Sequence, residues 1–259
     1  MDNPVLQTLL NRKSIRKYKK EMPADEVIAA VVRAGQQAPF AAQLGSVLLT
    51  RKGKLPFGAP LLFTICVDAH RLERFMARRG WKRVANDLSL LLLGIQDAAL
   101  MAENMVIAAE SLGLGSVFLG GAPYYADKII DQYKLPPKVF PLVQLAMGYP
   151  AEDPPPRPRF PLEFALFEDH YPELTDEMVD GAMAVMDEGY LAQEYYRRAR
   201  FKVPLEGERK ETYTFKTYSW TEHMGRKWGQ WYPSPDDLLE QFARCGFHLP
   251  GGEDPHDAS

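Results

Sequence analysis

Two short stretches concentrate guanidinium groups on irregular or stiffened backbone: Arg12-Lys13-Ser14-Ile15-Arg16-Lys17-Tyr18 near the start, and Arg157-Pro158-Arg159 past the middle. A phosphate monoester carries about two negative charges and three acceptor oxygens, and planar guanidinium forks match them with charge-assisted hydrogen bonds. Read together, the two stretches make one anion site, of the kind that holds the phosphate of a bound nucleotide. A basic heptapeptide alone is more often a solvated surface, so its neighbours decide the matter.

Those neighbours are a glycine pair and a proline arm. Gly115 to Leu119 reads as a buried strand running into Gly120-Gly121, where the missing Cβ lets backbone approach a ligand, although a plain strand-to-helix turn has the same sequence. Pro154 to Pro161 leaves no room for regular structure and makes a stiff arm for Arg157 and Arg159. Other chemistries find no support. Gly113-Leu114-Gly115 lacks the further glycine at position 118 that a dinucleotide fold requires, and it follows a helix instead of a strand. There is no GxxxxGK[ST] and no GxSxG. His70, His170, His223, His248 and His256 never fall at metal-ligand spacing, which predicts surface or capping roles and no metal. With no side-chain nucleophile or general base in view, an enzyme of this kind needs a cofactor to carry its chemistry.

The elements that must position these residues are legible from periodicity and caps. Asp2 or Asn3 caps a short helix with Pro4 at its first position, and the heptapeptide follows as a connection. A second helix runs from Pro23-Ala24-Asp25-Glu26 to about Gln36, with Val27, Ile28, Val31 and Val32 on one face. Gly45 to Thr50, Pro60 to Asp68 and Leu142 to Met147 read as further strands. The longest apolar stretch, Asp87 to Leu112, carries Ser89, Gln96, Glu103 and Glu110 every seven residues, beside Asp97, Asn104 and Ser111. That is one narrow polar stripe on a helix apolar almost all round: a central core helix that also suits packing against a second subunit, not a membrane span. From Thr175 the composition shifts to a helix, a basic loop from Arg197 to Lys216, a segment from Trp220 to Trp231 and a last helix near Pro235 to Arg244. The expected organisation is a core over 1–174 and a dependent helical extension over 175–259.

The whole chain sets bounds. Its 259 residues, 46% hydrophobic and 25% charged, can bury an ordinary globular core. A net charge of -3 offers no general attraction for nucleic acid or anionic membrane, so the basic clusters act locally on a small partner. Cys66 in a strand and Cys245 in a late helical segment give no CxxC and no disulfide framework, which suits a reducing cytoplasm, and no apolar leader follows the polar start.

In order and spacing, the heptapeptide, Ala38-Pro39, Glu110 to Gly121, and Gly148-Tyr149-Pro150-Ala151 with Arg157-Pro158-Arg159 resemble the FMN-dependent nitroreductase family over nearly the whole chain. With Trp220-Thr221-Glu222-His223, the chain is most similar to the branch of NADPH-linked nitroreductases and flavin reductases. The resemblance implies an α+β fold, a mixed and mostly antiparallel sheet surrounded by helices, and a homodimer whose C-terminal tail embraces the partner. It also implies that Arg12, Ser14 and Arg16, with Lys13 through its backbone, hold the FMN phosphate and neighbouring oxygens, closed upon by Arg157 and Arg159. Gly120 and Gly121 would lie against the flavin ring, Phe118 and Leu119 would form its approach, and Pro39, Phe40, Ala41 and Gln43 would supply further ring contacts. The chain departs from the family after Ala38-Pro39, where Phe40, Gln43 and Gly45 stand instead of the usual polar clamp, and the link from Thr50 to Pro60 is short.

The implied reaction is ping-pong: NAD(P)H gives a hydride to FMN and leaves, and a flat oxidised acceptor such as a nitroaromatic, a quinone or free flavin takes the electrons. Two alternatives stay open at this point, a flavin carrier or sensor and a related FMN enzyme, such as a dehalogenase or dehydrogenase, fed by another reductase. In the basic loop, Arg209 and Lys210 are the residues expected to meet the 2′-phosphate of NADPH in preference to NADH; a solvated loop is the plain alternative.

Overall fold

A computed structural model describes residues 3–230 and 234–249. Asp2, Trp231 and His256, read above as a cap, a segment end and a surface histidine, lie outside the described residues. In chain order the elements are α1 (Pro4–Asn11), α2 (Asp25–Gln36), β1 (Gly45–Thr50), β2 (Leu61–Asp68), α3 (His70–Arg78), α4 (Asp87–Ser111) and β3 (Gly115–Leu119). They continue with α5 (Ala126–Tyr133), β4 (Val139–Gly148), α6 (Asp176–Ala192), α7 (Tyr195–Ala199), α8 (Trp220–Gln230) and α9 (Pro235–Arg244). The chain divides into two compact units after Pro154, and from Ser234 it returns to the first. The final helix therefore belongs to the core unit: Phe242 packs on Phe140 of β4 with ring centroids 4.4 Å apart, and Gln241 accepts from the Asp127 backbone N–H at 2.8 Å.

The sheet is four-stranded in the order β1-β2-β4-β3, and each pairing is antiparallel. Its parallel component is a single bridge between Ser14 and Ser116. β2 is buried at every position, which explains its continuous apolar run without alternation; β1 and β3 form the edges. α4 lies on this sheet. Gly94 makes that possible, since a Cβ there would meet Val67 Cγ1 of β2 at 2.3 Å, and Gly35 lets α2 approach α4, where a Cβ would meet Met105 Cγ at 2.6 Å. On its other side α4 leaves Leu88, Leu92, Leu93 and Leu100 exposed. The helix is thus half sheet-facing core and half uncovered, with these leucines beside the exposed polar residues Ser89, Gln96 and Glu103. Length and hydropathy alone would let it cross a bilayer.

Asp87 at the start of α4 ties the unit together. It accepts from Arg83 at 2.7 Å, from Lys138 at 2.7 and 2.9 Å, and from the backbone N–H of His248 at 2.8 Å. Cys66 and Cys245, remote in sequence, lie near enough that the thiolate of one would disfavour that of the other; burial first, then Asp68 and Cys245, push the Cys66 thiol up, and burial raises Cys245 to about 12. Both are buried free thiols, protonated and unreactive at neutral pH.

In the second unit, α6 is capped by Thr175, whose hydroxyl accepts from the Met178 N–H at 3.3 Å. Asp187 of α6 anchors α8 by accepting from the Thr221 N–H at 2.9 Å. Tyr196 and Tyr218 form its aromatic centre, and the expectation of a surface or capping role for His223 fails here. His223 stacks on Tyr196 with centroids 4.7 Å apart and its Nδ1 lies 3.1 Å from the Tyr218 hydroxyl, because aromatic neighbours on α7 and the preceding loop enclose it. That burial, with the charge of Lys227, lowers its pKa.

Candidate functional site

The basic heptapeptide is a connection, as its sequence predicts, but a well-anchored one. Ile15 is buried and donates its backbone N–H to Ser116 O at 2.9 Å, which lays the segment along the free edge of β3. At the other end Lys19 N–H reaches Tyr149 O at 2.9 Å, and the Tyr18 hydroxyl is shared between the carbonyls of Ile15 at 2.6 Å and Ala146 at 3.0 Å. Burial raises the Tyr18 pKa, so the phenol stays a donor. Arg12, Ser14 and Arg16 are thereby presented from a pinned backbone.

Their side chains are unevenly engaged. Among the described residues neither Arg12 nor Arg16 forms a salt bridge; the Arg16 guanidinium lies 6.0 Å from the centre of the Phe57 ring. Lys13 is taken by Asp153, and the Arg16 backbone N–H donates to Glu152 at 2.6 Å. These carboxylates follow directly after Gly148-Tyr149-Pro150-Ala151, so the cluster is not purely cationic as the heptapeptide alone suggests. Behind the segment, Glu110 has a buried Oε1 without a partner, and burial, opposed by Arg12 and Lys13, raises its pKa. The Ser116 hydroxyl is likewise buried and unpartnered.

β3 carries the chain from this cluster to the glycine pair. Phe118 and Gly120 are exposed, and a Cβ on Gly120 would meet nothing within 4 Å, so open space lies over the backbone. Neither glycine adopts a positive φ, which means that access, not conformational freedom, is what they provide. Tyr125 backs the turn: its ring would lie 3.2 Å from a Gly121 Cβ, and its hydroxyl donates to Gln144 at 3.1 Å, which in turn donates to Thr64 at 2.9 Å.

The turn from Ala38 to Leu44 is held differently. Asp97 of α4, a member of the polar stripe, is buried and accepts three backbone N–H groups, from Ala41 at 2.6 Å, Ala42 at 3.1 Å and Leu44 at 2.9 Å. Arg71 of α3 donates to Gln43 O at 3.0 Å and to Gly45 O, and pairs with Asp68 at 2.9 Å. Gln43 sits at φ 52°, a left-handed conformation that a non-glycine residue keeps only when its surroundings hold it there. Phe40 is exposed, and beside the turn is a cavity of about 270 Å³ bounded by Val32, Gln36, Phe40, Ser46, Arg71 and Met101. Asp97 and Arg71 were missed as site residues. An acid in the middle of a largely apolar helix, between Ile95 and Ala98, signals the first, since a buried carboxylate demands donors; nothing in the sequence signals the second, because α3 starts without a side-chain cap.

The heptapeptide and the Pro39–Gln43 turn lie far apart within one chain. Ser14 sits on the β3 edge at the end of the sheet where Ser116 pairs with Met147, whereas Gln43 precedes β1 on the opposite edge, at the end where Gly45 pairs with Val67. Three strand spacings, about 14 Å, separate the two edges before the offset along the strands is added. One chain does not bring the two groups together.

The remaining candidates are in the second unit. Arg157 donates to Gln193 at 2.6 Å and stacks 4.2 Å over Tyr195, while Gln193 donates to Pro156 O at 2.8 Å, so the proline arm is braced. Arg159 is exposed and, among the described residues, donates hydrogen bonds to the carbonyls of Arg157 and Pro158, at 3.4 and 3.2 Å. The basic loop has its own skeleton. Arg226 of α8, nearly fully buried, donates to both oxygens of Glu211 at 2.8 and 2.9 Å, to Glu222 at 2.7 Å and to Val203 O at 3.0 Å; Lys202 meets Glu211 at 2.9 Å. Hydrogen bonds from Arg226, Lys202 and the Tyr213 N–H hold the Glu211 carboxyl well below its usual range. Arg197 and Arg198 are paired with Glu194, whereas Arg209 and Lys210, beyond the turn at Gly207 (φ 67°), are exposed and carry no salt bridge among the described residues. Arg226 is the residue that sequence reading missed here; its spacing from Glu222, i to i+4 on a helix, was the available signal.

The donor set fits a phosphate-bearing cofactor with a flat ring. Two guanidinium groups that form no salt bridge among the described residues and a hydroxyl stand on pinned backbone, and the strand beside them runs into a glycine with open space above it. Among the described residues no group of His, Cys, Asp and Glu could hold a metal.

Comparison with known proteins agrees in kind. The model of the nitroreductase family matches residues 9–51 and 48–149. The chain is 30% identical over 202 residues to the oxygen-insensitive NADPH nitroreductase of Salmonella typhimurium, covering 74% of this chain and 84% of that one. It is 28% identical over 229 residues to the FMN reductase (NADPH) of Bacillus subtilis, covering 82% and 89%. Among solved structures, the hypothetical oxidoreductase YcnD from Bacillus subtilis superposes with a TM-score of 0.80 at 26% identity, over 95% of this chain and 99% of that one.

Proposed function

The chain belongs to the nitroreductase family, and from that premise we propose how its residues serve an FMN-dependent NAD(P)H oxidoreductase acting on nitroaromatics, quinones or free flavins. Bound FMN supplies the hydride-transferring ring. The observation that carries the site assignment is the pinned segment along β3, with Arg12 and Arg16 in no salt bridge among the described residues and Gly120 open just past the far end of the same strand.

In this reading Arg12, Ser14 and Arg16 bind the phosphate through charge-assisted bonds, with Arg157 and Arg159 closing from the proline arm. Phe118, Leu119, Gly120 and Gly121 line the ring, excluding water on one side and leaving backbone N–H groups to orient it. Pro39, Phe40, Ala41 and Gln43 contact the flavin held by the partner. The separation of the two groups within one chain favours this arrangement, as does the uncovered row of Leu88, Leu92, Leu93 and Leu100 on α4. The protein is then a cytoplasmic homodimer, in which the part of the expected 175–259 extension that precedes the core helix α9 embraces the second subunit, and Arg209 with Lys210 favours NADPH over NADH.

The purified protein should be yellow, with one FMN per chain, and dimeric by light scattering. It should oxidise NADPH steadily with a quinone or nitroaromatic; flavin retained without such turnover would favour a carrier, or an enzyme fed by another reductase. For the reductant, kcat/KM for NADPH and NADH is compared in the wild type and in the Arg209→Ala, Lys210→Ala double variant. Each contact is worth roughly 1 kcal/mol, so the NADPH preference should fall by about tenfold or more. An unchanged ratio removes these residues from the reductant site.

A further inference from the structure

We propose that Asp97 is a positioning residue for the flavin ring, holding the turn from Pro39 to Gln43 in the one shape that presents it to the cofactor; this rests on the flavin assignment above. This turn lacks the polar flavin clamp usual in the resembled family, and residues from outside it hold its shape. Asp97 does, through three N–H groups converging on one buried carboxylate from Ala41, Ala42 and Leu44. From the other side Arg71 takes the carbonyls of Gln43 and Gly45.

The arrangement has a chemical consequence. The N–H groups of residues 41, 42 and 44 point into α4 and are not available to a ligand, and the Gln43 carbonyl is occupied. What the turn can still offer the ring are the side chains of Pro39, Phe40, Ala41 and Gln43 and the backbone N–H groups of Phe40 and Gln43, all placed by a residue that does not itself touch the cofactor. Gln43 at φ 52° depends on the same grip. α4 thus serves two ends, carrying the apolar face toward the second subunit and setting the turn beside it.

The test is Asp97→Asn, which keeps the shape but replaces one acceptor oxygen by a donor facing the N–H groups, with Arg71→Ala as a second variant, since Arg71 is half exposed and its loss leaves the core intact. FMN and riboflavin dissociation constants are measured on the full-length protein. Both variants should weaken the two ligands by the same factor, tenfold or more, because the turn meets the ring and not the phosphate. Hydrogen exchange at residues 41, 42 and 44 of the flavin-free Asp97→Asn protein should accelerate. If Asp97→Asn cannot be purified folded, Arg71→Ala decides alone. Wild-type affinity for both flavins in whichever variants fold overturns the inference while leaving the flavin assignment standing. A wild-type protein that binds neither flavin overturns the assignment itself.

Discussion

Replacing Arg16 with Ala separates cofactor binding from stability, because the guanidinium does little for the free fold. Among the described residues it makes no salt bridge, and its one contact is the Phe57 ring at 6.0 Å on an exposed surface, worth about 0.5 kcal/mol. The backbone bond from Arg16 N–H to Glu152 survives the substitution, as does the anchoring by Ile15 and Tyr18. For the flavin-free protein the melting temperature should then move by no more than about 2 °C, at roughly 2–4 °C per kcal/mol for a chain of this size. A lost charge-assisted bond to phosphate costs about 1.5–3 kcal/mol, a weakening of FMN by about 10- to 150-fold. Fluorescence titration of the apoprotein with FMN and riboflavin measures this, since riboflavin lacks the phosphate and should bind the variant as it binds the wild type. Unchanged FMN affinity, or an equal loss for both ligands, would refute the phosphate assignment. The carboxylates of Glu152 and Asp153 sharpen the comparison: Glu152→Gln removes negative charge beside the same backbone and should tighten FMN while sparing riboflavin.

Other residues test the scaffold. Gly94→Val should destabilise the protein by about 1–3 kcal/mol, because even a Cβ meets Val67 Cγ1 at 2.3 Å within a packed core; an unchanged urea midpoint would mean that α4 does not rest on β2 as described. Burial alone would raise the Asp87 pKa, but hydrogen bonds from Lys138 and the His248 N–H, with the charges of Lys138 and Arg83, lower it overall. A depressed carboxyl contributes stability that is fully present above its unfolded pKa of about 3.9 and is lost progressively as the pH falls from there through the lower folded pKa. Urea midpoints between pH 7 and pH 3 should therefore drop less steeply in Asp87→Asn than in the wild type, and parallel curves would show the cluster to be unimportant.

The sequence by itself determined the local elements and the kind of chemistry. Caps and periodicity placed α1, α2, β1, β2, α4 and α9 to within a residue or two, because Asn3, Pro4, Gly113 and the apolar runs act on their immediate neighbours. Arginines on irregular backbone, and a glycine pair after a buried strand, are likewise local facts with chemical meaning. Tertiary structure decided which of these residues meet. Cys66 and Cys245 come near enough to act on one another although one lies in β2 and the other just past α9, and Glu152 and Asp153 reach back to Arg16 and Lys13. Asp97 reads as one more member of a polar stripe until the turn before β1 folds over it and supplies three donors. Nothing local marks Arg226 as buried; Glu211, fifteen residues earlier, closes on it only in the folded chain. The difference has one physical reason: helix caps and hydrophobic periods act over a few residues, whereas a buried charge is only tolerated where distant backbone and side chains happen to meet it.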